Sequence, residues 1–331
     1  MLEKTKIRLL ILSILLLLVI IIVVIIIVAT GGDDDDDNDE EPFKFKIDYN
    51  NSLTSLASSI LKYFDVEPMH KTLSYIDNLL EEKKPENVIL LVFDGLGSRI
   101  LDKVLNKSDF LIKNRKKEIF SVFPPTTAAS LNTIKTGLNP SEHGWVGWTA
   151  YVEPIDKIIM LYRDKEKGKD EIDNDFLEIK EKYYNNKKTI VQLINETEKY
   201  LAYELNCYPY NVDKDIDSVF NRILETLKIE WKKYIFSYYP EPDDILHSLG
   251  VESEEAKEVI KKINQKVEEY SKLILENKNT VMIIISDHGH LISNPVDIKN
   301  RNISTYLEKP SVFIENRSPT FLVKKRKGKR F

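Results

Sequence analysis

The sequence has very little cysteine: Cys207 is the only one among 331 residues. A disulfide within the chain is therefore excluded, and a chain of this length can bury enough apolar surface to fold without one. Basic residues are not in excess either, since the formal net charge is -5. The chain lacks the positive surplus with which proteins bind nucleic-acid polymers, so no such partner is expected.

The acidic residues are concentrated near the N-terminus. Residues 1–41 contain nine acidic and three basic side chains, so the rest of the chain carries almost no net charge. The run from Asp33 to Asp37, with further acids up to Glu41, is typical of a solvated spacer whose like charges repel one another. A calcium site there is the less favoured alternative. We place this acidic spacer at residues 30–46.

One long hydrophobic run precedes the spacer. Residues 9–29 are apolar apart from Ser13, and a helix of about 20 such residues spans a bilayer. A cleaved secretory signal has a shorter core of about 7–15 residues, so the run predicts an uncleaved single-pass anchor. Basic residues lie before it and acidic residues after it. The positive-inside rule then places residues 1–8 in the cytoplasm and the domain outside the cytoplasm, at the cell membrane.

Three continuous apolar runs predict strands that are buried on both faces. They are Val88–Phe93, Tyr234–Tyr239 and Thr280–Ser286. Helical periodicity fills much of the sequence between and around them, most clearly at Leu53–Leu80 and Glu252–Glu276. Strands that alternate with helices predict an α/β fold with a doubly wound, mostly parallel sheet flanked by helices.

The same patterns set the expected boundaries of the domain. We place the α/β domain at residues 47–323, with Phe321–Val323 as a short fourth strand candidate. Residues 151–212 are rich in tyrosine, lysine and aspartate and interrupt the alternation, so we predict that they form an inserted cap. Residues 324–331 are strongly basic and are expected to form an exposed tail.

Each of the three long strand candidates is followed by residues that bind metal ions. Asp94 follows the first, Asp243 and His247 follow the second, and Asp287 and His288 follow the third. Ligands bind beyond the carboxyl ends of strands in open α/β sheets, so these side chains are expected to converge. Carboxylate and imidazole groups suit zinc or manganese. Each motif alone also fits a turn or a helix cap, but the three together favour a metal site.

Two adjacent threonines, Thr126 and Thr127, follow a Pro-Pro pair and open a segment of small residues. A threonine at such a place can be the N-cap of a helix, and this interpretation fits Thr126 better than Thr127. Thr127 is also placed to act as a nucleophile, because the N–H groups and dipole at a helix start stabilise an oxyanion.

The order of FDG, PTTAASLNTIKTGLNPSEHG, EPDDILH and SDHGH along the chain resembles the nucleotide pyrophosphatase/type I phosphodiesterase branch of the alkaline phosphatase superfamily. The resemblance covers roughly Pro85 to Val323. It implies an alkaline phosphatase-like, metal-dependent phosphodiesterase or pyrophosphatase in which Thr127 is the nucleophile. It also implies two zinc ions, one held by Asp94, Thr127, Asp287 and His288, and the other by Asp243, His247 and one further histidine.

Two positions depart from the pattern of that family. Ser130 stands where the family has an asparagine that holds a phosphate oxygen, so a weaker substrate contact is expected there. The chain is also expected to be truncated before the family's last metal-binding histidine. We therefore predict that no third histidine lies beside His247 and that the second zinc site is incomplete and binds weakly. His70, His143 and His290 are not expected to be ligands.

The substrate is less constrained by the sequence than the reaction. Trp145 and Trp148 follow the SEHG turn and are candidates to line a substrate pocket, but packing beneath the insertion explains them equally well. The expected substrate is a small-molecule or lipid-linked phosphoester. Two alternatives to an anchored phosphodiesterase stay open: a catalytically impaired binding protein of the same fold, and a phosphomonoesterase of the same superfamily.

Overall fold

A computed structural model describes residues 47–206, 213–276, 279–291, 303–308, 313–314 and 318–324. The helices are α1 (Leu53–Tyr63), α2 (Ser74–Lys83), α3 (Ser98–Val104), α4 (Phe110–Asn114), α5 (Thr127–Thr136), α6 (Pro140–His143), α7 (Asn174–Tyr183), α8 (Ile190–Glu196), α9 (Ile216–Leu227), α10 (Asp243–Leu249) and α11 (Glu254–Glu276). The strands are β1 (Asn87–Phe93), β2 (Thr149–Val152), β3 (Lys157–Met160), β4 (Lys165–Glu166), β5 (Leu201–Glu204), β6 (Lys233–Tyr239), β7 (Thr280–Ser286), β8 (Phe313–Ile314) and β9 (Pro319–Thr320). Short 3₁₀ turns lie at Tyr49–Asn51, Glu153–Ile155 and Ile303–Tyr306.

The predicted anchor at 9–29, the acidic spacer at 30–46 and residues 325–331 of the predicted tail lie outside the described residues. Within the part of the chain that is described, no helix has the length and apolar character needed to cross a membrane. The anchor therefore stays a prediction.

Among the described residues, four parallel strands form the main sheet in the order β5-β6-β1-β7. The central strand β1 pairs with β6 on one side and β7 on the other, so that Phe93 lies opposite both Tyr239 and Ser286. The three long strands predicted from the sequence are confirmed. Because they end at the same level, the loops that follow them share one edge of the sheet.

The side chains of β1 alternate between two hydrophobic cores. Odd-numbered residues such as Leu91 belong to a core with α9 and α11, whereas even-numbered residues such as Leu90 belong to a core with α1, α2, α5 and α8. Burying one such side chain stabilises the fold by about 1.5–3 kcal/mol. Helices therefore cover both faces of a mostly parallel sheet, which confirms the predicted fold class and explains why the strand is apolar throughout.

A second, antiparallel sheet lies largely within the region predicted as an insertion. In the described part of the chain its strand order is β4-β3-β2-β8-β9. The prediction of residues 151–212 as the insertion is too long at its C-terminal end, because β5 pairs with β6 in the main sheet. This strand was hard to recognise, since only Ala202 of its four residues is buried and no continuous apolar run marks it.

Two other segments also differ from the sequence pattern. The helical periodicity of Leu53–Leu80 belongs to two helices, with α1 ending at Tyr63 and α2 beginning at Ser74. The strand predicted at Phe321–Val323 is wrong: the nearby strand is β9, and Val323 forms an isolated bridge with Leu307. A run of three residues is too short for its apolar pattern to specify a strand.

Candidate active site

The ends of the three long strands bring the candidate metal ligands together. Two groups of ligand atoms, each within 4.8 Å of one another, lie among the described residues. We call them the buried group and the open group. The buried group is Asp94, Asp287 and His288, and the open group is Asp243, His247 and His290.

The buried group is formed by residues directly after β1 and β7. His288 Nε2 lies 3.2 Å from Asp94 Oδ1 and 3.6 Å from Asp287 Oδ2. Asp287 Oδ1 accepts hydrogen bonds from the backbone N–H groups of Gly95, at 3.1 Å, and of His288, at 2.8 Å. These bonds fix the Asp287 carboxylate and orient its other oxygen.

Asp287 Oδ2 gives the best test of whether a cation fits this group. Among the described residues, this buried oxygen has no hydrogen-bond partner. Leaving a buried polar atom unsatisfied costs roughly 1–3 kcal/mol, and more if it is charged. The atom faces the Asp94 and His288 side chains, so a divalent cation held by all three would satisfy it. The donor set of two carboxylates and one imidazole also suits zinc.

The pKa shifts of the three aspartates also favour a bound cation. Burial, together with the nearby carboxylates of Asp287 and Asp243, raises the pKa of Asp94 well above its usual value. Burial also raises the pKa of Asp287. For Asp243, burial acts to raise the pKa, but the hydrogen bond from His290 and the nearby imidazoles outweigh it, so the pKa is lowered. Like charges this close disfavour ionisation, and a bound cation would offset their repulsion.

Thr127 joins the buried group from the helix side. It is the first residue of α5. Thr126 occupies the N-cap position, but its side chain accepts no capping hydrogen bond from the first turn, so only the position agrees with the N-cap interpretation. The Thr127 Oγ1 atom lies 3.1 Å from His288 Nε2 and 3.3 to 3.4 Å from the two Asp94 oxygens. The structure therefore brings together the four side chains that were expected to surround one metal ion.

The open group contains a residue that the sequence analysis rejected. His290 Nε2 lies 2.6 Å from Asp243 Oδ1, and its ring centroid lies 4.6 Å from that of His247. His247 Nε2 is itself 3.5 Å from Asp243 Oδ2. The prediction that no third histidine lies beside His247 is wrong, and three candidate ligands lie together in this group.

Glycine lets the loop after β7 pass close to the loop after β1. The intervening residue, Gly289, packs against Gly97 so closely that a Cβ atom on Gly97 would lie 2.7 Å from the Gly289 Cα atom. Gly95 lies equally near the open group, since a Cβ atom on it would lie 3.0 Å from Asp243 Oδ1 and from His290. The missed signal was the second histidine of SDHGH, which follows the same strand as the first.

Comparison with known proteins identifies the family. The family model described as type I phosphodiesterase / nucleotide pyrophosphatase matches residues 88–328. The chain belongs to this family. The matched region begins in β1 and contains both ligand groups and Thr127, so the resemblance seen in the sequence is confirmed. The metal dependence of this family also fits the presence of two candidate ligand groups.

Solved structures share the fold at low sequence identity. Human ectonucleotide pyrophosphatase/phosphodiesterase 5 (ENPP5) aligns with a TM-score of 0.53 at 22% identity, over 72% of this chain and 66% of that chain. Murine ENPP5 aligns with a TM-score of 0.51 at 21% identity, over 68% and 62%. An inactive threonine-to-alanine variant of murine ENPP5 in complex with AMP gives 0.51 at 20% identity, again over 68% and 62%. The chain thus spans 62 to 66% of these solved chains. No curated protein sequence matches it.

The candidate substrate residues of this family member lie around α5 and the second sheet. Ser130 is fully buried, and its Oγ atom lies 3.0 Å from Ser121 Oγ, which donates to the Asp287 carbonyl oxygen. Ser130 thus supports the loop that carries the buried group, and its contact with a phosphate oxygen stays a prediction.

The two tryptophans differ in their surroundings. Trp145 is buried in the core of the second sheet, with its ring centroid 4.7 Å from that of Tyr162. Trp148 is more exposed and meets Tyr162 edge-on at 5.6 Å. Packing therefore accounts for Trp145, whereas Trp148 offers solvent an aromatic surface of the kind that could contact a substrate.

The remaining histidines lie outside both groups. His143 is buried, with Nδ1 accepting a hydrogen bond from the Trp145 backbone N–H and Nε2 lying 3.0 Å from Thr133 Oγ1. Burial lowers the pKa of His143 to about 4. His70 Nε2 lies 2.7 Å from a Glu142 carboxylate oxygen. These contacts connect helices and loops of the fold.

Proposed function

We propose that the chain is a metal-dependent phosphodiesterase or pyrophosphatase that uses Thr127 as its nucleophile. The observation that carries the proposal is the position of the Thr127 hydroxyl, at the start of α5 and 3.1 Å from His288 Nε2. A hydroxyl at the edge of a group of buried acids and histidine is placed for attack rather than for packing. Membership of the family supports a hydrolase that acts on phosphoric esters.

The residues present would hold two divalent cations, for which zinc is the best candidate. Asp94, Asp287, His288 and the Thr127 oxygen would bind one, and Asp243, His247 and His290 the other. When bound, the cations supply positive charge that favours deprotonation of a hydroxyl and stabilises negative charge on phosphoryl oxygens.

The chain's own groups then carry out two displacements. Thr127 Oγ1 loses its proton to solvent and forms a bond to phosphorus as the bond from phosphorus to the leaving oxygen breaks, and the leaving oxygen takes a proton from solvent. The backbone N–H groups in the first turn of α5 favour the negative charge that develops beside Thr127. Water then cleaves the phosphothreonine and restores the hydroxyl.

The position of His290 bears on the rival interpretation. A catalytically impaired binding protein was an alternative because the second group of ligands was expected to lack a histidine. His290 supplies an imidazole 2.6 Å from Asp243, which removes that reason. We therefore favour a competent hydrolase over an inactive relative.

Nucleotide diesters are the first substrates to test. The murine ENPP5 variant is described in complex with AMP, and the exposed part of Trp148 could stack on a base or a sugar. We propose a small-molecule phosphodiester or pyrophosphate of this class as the substrate, with a lipid-linked phosphoester as the alternative. We further propose that residues 9–29 anchor the chain in the cell membrane, with the domain outside the cytoplasm.

The decisive experiment compares a chromogenic phosphodiester with the matching monoester, using the full chain with and without added zinc. Faster hydrolysis of the diester, lost on chelation and restored by zinc, is the expected result. Preference for the monoester would favour a phosphatase. A chain that holds two zinc ions and hydrolyses neither substrate would overturn the proposal.

A further inference from the structure

Tyr238 contacts the buried group from outside it. This tyrosine is buried near the end of β6, and its hydroxyl donates a hydrogen bond to Asp94 Oδ2. The other Asp94 oxygen, Oδ1, lies 3.2 Å from His288 Nε2. The two oxygens of Asp94 are therefore in different surroundings, with Oδ2 held by the tyrosine and Oδ1 turned to a fellow candidate ligand.

The backbone of Tyr238 is fixed on both sides. In the sheet it pairs with Val92 of β1. Its N–H donates to the Asn206 carbonyl oxygen at 3.0 Å, and the Asn206 side-chain amide donates to the Tyr238 carbonyl oxygen at 2.7 Å. Its ring belongs to the hydrophobic core shared with α1 and α5. The phenol oxygen is thus carried by a central strand, and a rigid element places a contact more accurately than a loop does.

We propose that Tyr238 is a positioning residue for the first metal site. Its hydroxyl restrains rotation of the Asp94 carboxylate, so that Oδ1 faces His288 and is available to the cation. Without that hydroxyl, Oδ2 loses the hydrogen bond from β6 and keeps the 3.3 Å contact with Thr127 Oγ1, so the carboxylate can rotate. The Asp94 carboxylate would then be held less firmly beside His288 and Thr127 for binding a cation. This inference rests on the proposed metal-dependent function.

Removing one hydroxyl group tests the proposal, and the next residue provides a matched control. Tyr239 lies on the same strand but belongs to the opposite core, where its hydroxyl donates to the Lys214 carbonyl oxygen at 3.3 Å. Tyr238→Phe and Tyr239→Phe are made in the full chain, and zinc affinity is measured by competition with a chelator. Changes to such supporting groups commonly cost about 10–100-fold in metal affinity.

We expect Tyr238→Phe to lose about 10-fold or more in affinity at one of two zinc sites, with the other unchanged. Tyr239→Phe should leave both affinities unchanged. In turnover, Tyr238→Phe should lower kcat at saturating zinc more than it raises KM. A second variant, Asn206→Ala, removes a support of the Tyr238 backbone but keeps the hydroxyl, so a smaller loss at the same site is expected.

Unchanged zinc affinities in a folded Tyr238→Phe chain would overturn the proposal. Equal losses in the Tyr238 and Tyr239 variants would do so as well, since they would indicate a general effect on packing. If Tyr238→Phe does not fold, the same zinc titration is made on Asn206→Ala. Unchanged zinc affinities in that variant would then overturn the proposal. A wild-type chain that binds zinc but hydrolyses no diester would refute the proposed function and leave the zinc titration as an independent test of Tyr238.

Discussion

His290 Nε2 lies 2.6 Å from Asp243 Oδ1, although the two residues are 47 positions apart in the chain. His288, only two residues before His290, lies 3.2 Å from Asp94 instead. One short loop after β7 thus contributes an imidazole to each ligand group. The loop thus provides the third candidate ligand of the open group.

The open group should bind zinc less tightly than the buried group. His247 is 55% exposed at its side chain, whereas His288 is 2% exposed, so water competes more at the open group. His290→Ala removes one of three protein ligands there and should weaken the second zinc at least about 10-fold, with the first unchanged. Competition with a chelator measures the two zinc affinities, and the zinc content per chain gives the number of bound ions. His70→Ala, at a histidine outside both groups, is the control, and a His290 variant that keeps both affinities would contradict the assignment.

Much of the fold could be predicted because its main strands are buried on both faces. Val88 to Phe93 must all be apolar when helices cover both sides of β1, and that pattern is visible without a structure. The edge strand β5 has no such constraint, since only Ala202 is buried. Its place in the sheet depends on pairing with β6, which the local sequence does not encode.

The candidate site could be predicted to the same extent and for a similar reason. Asp94, Asp243 and Asp287 follow recognisable strands, so the common edge of the sheet places them together. The prediction for His290 was wrong because its contact with Asp243 joins residues 47 positions apart, a tertiary feature that the local sequence does not encode. Tyr238 was missed because a tyrosine in a buried strand resembles any other core residue until its hydroxyl is seen beside Asp94.

The contact between Gly97 and Gly289 predicts a strong effect for a small substitution. Gly97→Ala would place a methyl group 2.7 Å from the Gly289 Cα atom, closer than real Cβ contacts. The clash would be between a Cβ atom and a backbone Cα atom, and neither can move away by rotation of a side chain. The loop must therefore shift, and we expect weaker binding at both zinc sites. Zinc titration of the folded variant measures this. Ser98→Ala, at the adjacent residue, should bind normally, and normal binding by Gly97→Ala would show that the loop tolerates the shift.

His143 should make stability depend on pH. Its pKa is about 4 in the fold because the ring is buried, compared with a reference value of 6.5. Between about pH 4 and 6.5, His143 is therefore protonated in the unfolded chain but not in the folded chain. The contribution of His143 to the free energy of unfolding is fully present above about pH 6.5 and is lost as the pH falls toward 4. Since one pKa unit corresponds to about 1.4 kcal/mol, the loss should be at most about 3.5 kcal/mol.

Urea unfolding of the metal-free chain at several pH values between 4 and 7 measures this dependence. His143→Gln cannot take up the proton, so its free energy of unfolding should decrease less steeply with falling pH than that of the wild type. His70→Gln controls for the loss of a histidine that is not deeply buried. Parallel curves for wild type and His143→Gln would show that His143 does not contribute.

The hydrophobic run at residues 9–29 predicts the location of the domain. Basic residues precede the run and acidic residues follow it, so the remainder of the chain should lie outside the cytoplasm. Protease added to intact cells is therefore expected to remove the domain, while a cytoplasmic marker stays intact. Protection of the domain, or a mature chain that begins near Gly31, would contradict an uncleaved anchor of this orientation.

Thr127→Ala should abolish turnover, whereas Thr126→Ala should reduce it far less. The Thr127 hydroxyl lies 3.1 Å from His288 Nε2 and is the proposed site of bond formation to phosphorus. Thr126 is its neighbour at the N-cap and carries the same chemical group, so it is a matched control. Zinc should still bind the Thr127 variant, because Asp94, Asp287 and His288 remain. Turnover of the chromogenic diester and zinc content are measured on the same preparations. Equal loss of activity in the two variants, or loss in Thr126→Ala alone, would show that the nucleophile has been assigned to the wrong threonine.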